Sequence, residues 1–320
     1  MTETGPGPST KQYNFESGGT LTIKHGKDDV ISSTIGHLVG IQTRLLIGTP
    51  REIFQEPPKE LMDELYERYK DVPWKGDLLV RVGYDSIIED YKRLFGKGIK
   101  GRPNVFLRIL GAPSILKDAL MAKLSKADHF NPLTNTVTVY HPKLAVGMHE
   151  LGHAEFWDQS KHRDLWTGAM IASEYIGPFN FFKPAKSNNE MRLRKALATI
   201  PGFRFYTEWK ASQNAMKHFK TDKEQTEGMK LLEPAFGSYT GFEVANVYDI
   251  LQKDQNDPLR SYIITHGIAP IVGLIGGHLA ARVPKERKSS FGILFQQEKP
   301  TESLEKNQVL VGSSKPQTIN

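Results

Sequence analysis

The sequence predicts a mostly helical α+β fold with a small sheet ahead of one central helix. Three observations carry this expectation. Segments with apolar residues at helical spacing recur along the chain. The stretch TVTVY, residues 136–140, has the β-branched alternation of a strand. Pro142 follows it and opens a further helical segment, as proline does at a first turn. With 320 residues and 38% hydrophobic content, the chain can build one large domain or two small ones. No internal repeat is apparent.

Residues 1–28 are polar and rich in Gly, Pro, Ser and Thr, and are expected to be disordered. They lack an apolar h-region, so no secretory signal peptide is expected. A helical region is predicted over residues 29–126. In PPKELMDELYERYKDV, Leu61, Leu65 and Tyr69 share a face and Pro57 and Pro58 mark the start. SIIEDYKRLFG repeats the pattern and ends at Gly96, and APSILKDALMAKLSK is a third helix. Between them, Lys97, Lys100 and Arg102 sit among glycines. That basic run reads as a solvated turn before a strand or helix at Val105–Leu110, in preference to a phosphate-contacting loop.

Residues 127–285 form the next unit. A turn at Asn131–Asn135 leads into TVTVY and then into the helix that holds VGMHELGHAEFWD. After it come an apolar stretch at 164–182, the polar helix NNEMRLRKALATI, a break at Pro201–Gly202, and the helix FYTEWKASQNAMKHF. Residues 263–281 are apolar and close to membrane-span length. Residues 286–320 are a polar tail in which FGILF, 291–295, could dock on something.

Composition narrows the chemistry. The chain has no cysteine, which excludes disulfides, thiol catalysis and cysteine-ligated zinc and leaves His, Asp and Glu as metal ligands. A net charge of +6 is mildly basic, but no nucleic-acid-binding motif accompanies it, so no nucleic-acid partner is expected.

HELGH is the motif that can carry chemistry. Positions four apart lie on one helix face, so His149 and His153 can present two imidazole nitrogens to one ion about 2 Å away. Glu150 is rotated by about 100° and cannot join them as a ligand. It can reach a water held by the metal and act as general base. A third ligand must come from elsewhere. The metzincin spacing fails, because Phe156 and Gln159 occupy its positions. A thermolysin-like spacing points near Glu174, in an apolar run ahead of Gly177 and Pro178. The better candidate is Glu208 in EWKAS, which opens a helix with small Ala211 and Ser212 one turn on.

HELGH followed some 55 residues later by E-x-x-A, with a strand and turn just ahead, resembles the gluzincin zinc metallopeptidases of the HtpX type over roughly residues 127–215. The resemblance implies a zincin-like catalytic domain and one Zn2+ per chain, held by His149, His153 and Glu208. It also implies that peptide bonds are hydrolysed with Glu150 as base. Such enzymes usually carry aspartate four residues beyond the glutamate, where this chain has Ser212; a serine can still hydrogen-bond a ligand histidine. TVTVY would be the edge strand along which a peptide or protein substrate lies extended. A histidine or tyrosine would stabilise the oxyanion, with His218, Tyr206, His266 and His278 available. The alternative reading is an inactive zincin-like binding or scaffold protein.

Membrane topology limits the apolar stretches. If His149, His153 and Glu208 share one ion, the chain between them crosses a bilayer an even number of times, and 164–182 is long enough for one crossing only. That stretch is expected to be a buried or surface-lying helix. Segment 263–281 is free of the constraint, and Arg282, Lys285, Arg287 and Lys288 would keep the following tail cytoplasmic. Membrane association through 263–281 is therefore expected, with a cytoplasmic protein as the alternative.

Overall fold

Two N-terminal strands begin the sheet in the computed structural model, which describes residues 10–25, 58, 60–83, 86–180, 187–197, 200–251 and 268–282. Strands β1 (Thr10–Asn14) and β2 (Thr20–His25) form an antiparallel hairpin. Its turn passes through Gly18, whose φ of 84° suits a residue without a Cβ. Over residues 10–25 this corrects the expectation that residues 1–28 are disordered. The polar composition conceals a period of two in TLTIKH, where Leu21 and Ile23 are buried while Thr20 and Thr22 are less so.

Helix α1 (Glu60–Tyr69) buries Leu61, Leu65 and Tyr69, the face the spacing predicts. Strand β3 (Asp77–Val82) follows, a nearly continuous apolar run of the kind found in strands covered on both faces. It lies parallel to β2 on one side and to β5 (Thr136–Val139) on the other. The order is β1-β2-β3-β5-β4, with β4 (His129–Asn131) antiparallel to β5 at the end of the sheet. TVTVY is thus an interior strand, and the expectation that it forms the edge is corrected. Its four strand residues are all buried, and β3 occupies the flank that an edge strand would leave open.

The same pairing removes the boundary expected near residue 126. Strands from residues 10–25, 77–82 and 129–139 share one sheet, and the described residues fall in one compact unit. The fold is α+β as expected, but with a five-stranded sheet that draws on the N-terminal region.

Helix α2 (Ile87–Phe95) starts where the Ser86 side chain accepts from the Glu89 amide, and ends at Gly96. Helix α3 (Val105–Ser125) absorbs Val105–Leu110 together with the predicted third helix, Pro113 included. The basic run before it is structural. Arg102 donates to the carbonyls of Ile99, Leu94, Gly96 and Arg93, and Lys100 Nζ donates to Gly18 O at 2.7 Å. In the turn Asn131–Asn135, Asn131 Oδ1 accepts from the Leu133 and Thr134 amides, and Asn135 takes a φ of 52°.

Helix α4 (Leu144–Gln159) carries HELGH, and α5 (Arg163–Asn180) holds most of the apolar 164–182 stretch. Helix α6 (Asn188–Leu197) precedes α7 (Ile200–Lys217), where Pro201 and Gly202 sit in the first turn rather than breaking the chain ahead of a later helix. Helix α8 (Asp222–Leu251) contains GSYTG, and α9 (Ala269–Arg282) contains most of the C-terminal apolar segment. No helix among the described residues is long and apolar enough to cross a membrane. Residues 26–57, 263–267 and the tail from 286, with FGILF, lie outside the described residues.

The core joins the sheet to two helices. Leu78, Val80, Val82, Val137 and Val139 pack with Leu65 and Tyr69 of α1 and with Met148 and Leu151 of α4. The buried side of α4 fixes which way its opposite side points.

Candidate metal centre

Met148 and Leu151 anchor α4 in the core, so His149, Glu150 and His153 are carried toward α7 and the sheet edge. The Tyr69 hydroxyl donates to the Met148 carbonyl at 2.8 Å, tying the turn that bears His149 to α1. Tyr69 is itself fully buried.

Helices α4 and α7 cross in backbone contact. An added Cβ at Gly152 would lie 2.9 Å from the Ala211 carbonyl carbon, nearer than carbon atoms approach without bonding. Asn214 Nδ2 donates to the Gly152 carbonyl at 3.1 Å and secures the crossing. The small residues of HELGH and E-x-x-A are therefore the two sides of one contact.

That contact delivers Glu208. Its Oε2 lies 3.1 Å from His149 Nε2 and 3.3 Å from His153 Nε2, across 59 residues of sequence in the first case. One ligand atom from each of the three residues falls within 4.8 Å of the others. The two imidazoles stand edge to face, with planes 83° apart. Glu208 lies in the interior of α7 rather than at its opening, because α7 starts earlier than predicted. Ser212 is 1% exposed, and its Oγ lies 3.2 Å from His149 Nδ1. With an ion bound, a proton on Nδ1 donated to that hydroxyl would leave the Nε2 lone pair for the metal. Two imidazoles and a carboxylate so placed fit a zinc ion.

Two carboxyls in the site are driven apart. Burial pushes Glu150 up to about 8; the charge of His149 and a backbone hydrogen bond from Phe130 oppose the rise, and the charges of Glu208 and Asp128 add to it. Burial would raise Glu208 too, but the charge of His153, hydrogen bonds from both histidines and the charge of His149 outweigh it. Its carboxyl is held well below the usual carboxylate range.

Two cavities meet at this point. The larger, about 330 Å3, is lined by Phe130, Glu150, His153, Trp157, Trp166, Met170, Phe203 and Glu208 among others. The smaller, about 60 Å3, is lined by His141, His149, Glu150, Glu208, Ser212, Leu232 and Phe236 among others. Asp128, Glu150 and Glu208 border both. Strand β4 contributes His129 and Phe130 to the larger cavity, so the sheet edge runs along the site.

The remaining predicted residues lie elsewhere. His218 Nε2 pairs with Glu155 Oε2 at 2.9 Å and packs on Tyr69; it lines neither cavity. Tyr206 stacks on Trp166 and also lines neither. His266 lies outside the described residues. Glu174 belongs to α5 and His278 to α9, with side chains outside the description. Two site residues escaped the sequence reading. Asp128 accepts from the Tyr140 and His141 amides and so closes the end of β5, and His141 lines the smaller cavity. His141 sits between a strand and a helix, the one signal that could have marked it.

No family model, no curated protein and no solved structure matches the chain.

Proposed function

We propose that the chain is a zinc-dependent metallopeptidase. The supporting observation is the convergence of Glu208 on His149 and His153, with Ser212 behind His149. His149, His153 and Glu208 would hold the ion. Zinc, when bound, supplies a Lewis acid that acidifies a water molecule and polarises a carbonyl. Glu150, adjacent on the same helix and bordering both cavities, takes a proton from the attacking water. Oxygen adds to the peptide carbonyl, the C–N bond breaks, and the proton passes from Glu150 to the departing amine.

An extended peptide would pair with β4, the strand at the sheet edge, rather than with TVTVY behind it. The larger cavity would take a substrate side chain, and its aromatic lining favours a bulky apolar one.

One observation favours a second reading, a zincin-like binding or scaffold protein without turnover. The group behind His149 is a neutral hydroxyl, which raises ligand basicity less than a carboxylate would. Glu150→Gln separates the two readings. In a peptidase it abolishes cleavage of a quenched peptide library and leaves one zinc per chain. Wild-type protein that cleaves nothing, with or without zinc, supports the scaffold, and wild-type protein that binds no zinc refutes the peptidase.

A further inference from the structure

Helix α9 presents an apolar face that nothing among the described residues covers. Ile271, Val272, Ile275 and Leu279 are between 51% and 61% exposed. At about 100° per residue these four fall within one arc of about 100°, and Gly273 and Gly277 lie on the opposite side. The glycine side is filled by α8. A Cβ at Gly273 would lie 2.8 Å from the Gly237 carbonyl carbon, and one at Gly277 would lie 2.6 Å from Pro234 Cα. One at Gly241 would lie 2.9 Å from the Ala269 carbonyl carbon. The two helices touch through their backbones, so α9 is fixed to α8 and its aliphatic face points away.

We propose that this face of the α8–α9 pair docks on the surface of an anionic lipid bilayer without crossing it. Charge selects the occupant. Between Ala269 and Ala281 there is no Asp, Glu, Lys or Arg, and Arg282, Lys285, Arg287 and Lys288 follow with only Glu286 among them. In sequence, an apolar helix followed directly by a basic run matches an acyl boundary beneath anionic headgroups. Among the described residues no helix is long and apolar enough to cross a bilayer, and the 14 residues of α9 extend about 21 Å against a hydrocarbon core of roughly 30 Å. Phe236 lines the smaller cavity and Gly237 holds α9, so a docked pair brings that cavity to within a turn of α8 from the lipid-facing element.

The test is flotation of the whole 320-residue chain with vesicles of phosphatidylcholine alone or mixed with phosphatidylglycerol. The wild type is expected to float with the mixed vesicles, to float less with the neutral ones, and to be released by salt. Serine at Ile271, Val272, Ile275 and Leu279 together should weaken partitioning at least about tenfold. Because those side chains are exposed, the variant should keep the wild-type circular dichroism and melting temperature. A second variant, Lys285→Gln with Arg287→Gln and Lys288→Gln, should lose the preference for phosphatidylglycerol. The proposal is overturned if the wild type stays at the bottom of the gradient with both vesicles. It is also overturned if the serine variant floats as the wild type does, or if the wild type is a dimer that the serine variant dissociates and neither form floats.

Discussion

Replacing Gly152 by alanine tests the central geometric claim, that backbone contact between α4 and α7 positions Glu208. The new Cβ would lie 2.9 Å from the Ala211 carbonyl carbon, and closer still to its oxygen. Non-bonded carbons sit about 3.5–4.0 Å apart, so the helices must part by about 1 Å. The obstacle is backbone, which cannot rotate away as a long side chain could. Overpacking of this kind costs about 1–3 kcal/mol, and the better helix propensity of alanine returns at most about 1. The larger effect falls on the three proposed metal ligands. A displacement of about 1 Å, carried by α7 three residues from Glu208, is large against the tolerance of about 0.2 Å expected for zinc–ligand distances. Zinc affinity, measured by competition with a chromophoric chelator, is expected to fall at least about a hundredfold. Gly202→Ala is the control: its added Cβ meets nothing within 4 Å, so affinity should not change. Gly152→Ala protein that melts near the wild-type temperature and binds zinc as tightly would refute the reasoning.

Two further predictions concern neighbouring side chains. Ser212→Ala removes the group 3.2 Å from His149 Nδ1 and should weaken zinc binding about 10–100-fold with little change in the fold, as read by chelator competition beside a melting curve. Glu224 is pulled down to about 2 from an ordinary 4.5, chiefly by hydrogen bonds from Arg68 at 2.7 and 2.9 Å; slight burial opposes this, and the Lys220 and Thr221 amides and the Arg68 charge assist. A depressed carboxyl stabilises the folded chain above about pH 4.5, and that share is lost as pH falls toward 2. Since Glu224 is one-third exposed, the contribution is about 1 kcal/mol or less. Glu224→Gln should lower neutral-pH stability by that amount and flatten the melting temperature against pH in that window; an unchanged slope would contradict the assignment.

What the sequence disclosed follows the range of the interactions involved. His149, Glu150 and His153 are neighbours on one helix, so their relation is set by a repeat of 3.6 residues and can be read directly. Glu208 was accessible for a different reason: the small Ala211 after it and Gly152 beside His153 are the marks of two backbones in contact. Strand order left no such mark. TVTVY reads the same whether β3 lies beside it or solvent does, because alternation reports which faces are buried and is silent on the flanks. The N-terminal hairpin was hidden by composition, since only Leu21 and Ile23 of its residues reach the core fully. His218 illustrates the limit from the other side. It was available on the helix predicted to carry Glu208, yet it pairs with Glu155 of α4 and lines neither cavity.

The site is held by packing more than by charge. Ser212 brings no charge to His149, and the orienting contacts around the ligands are largely neutral: Tyr69 to the Met148 carbonyl, Asn214 to the Gly152 carbonyl, Ser212 to His149. Where a carboxylate stands behind a ligand imidazole, attraction helps to correct small errors of position. A hydroxyl corrects less than a carboxylate does, so position must be set chiefly in advance by the core that seats Met148 and Leu151 and by the crossing at Gly152. The affinity of this centre for zinc should therefore follow the fit of α4 against α7 closely. Ser212→Asp, in turn, trades that dependence for charge only if the buried pocket around residue 212 can admit a larger side chain without parting the helices.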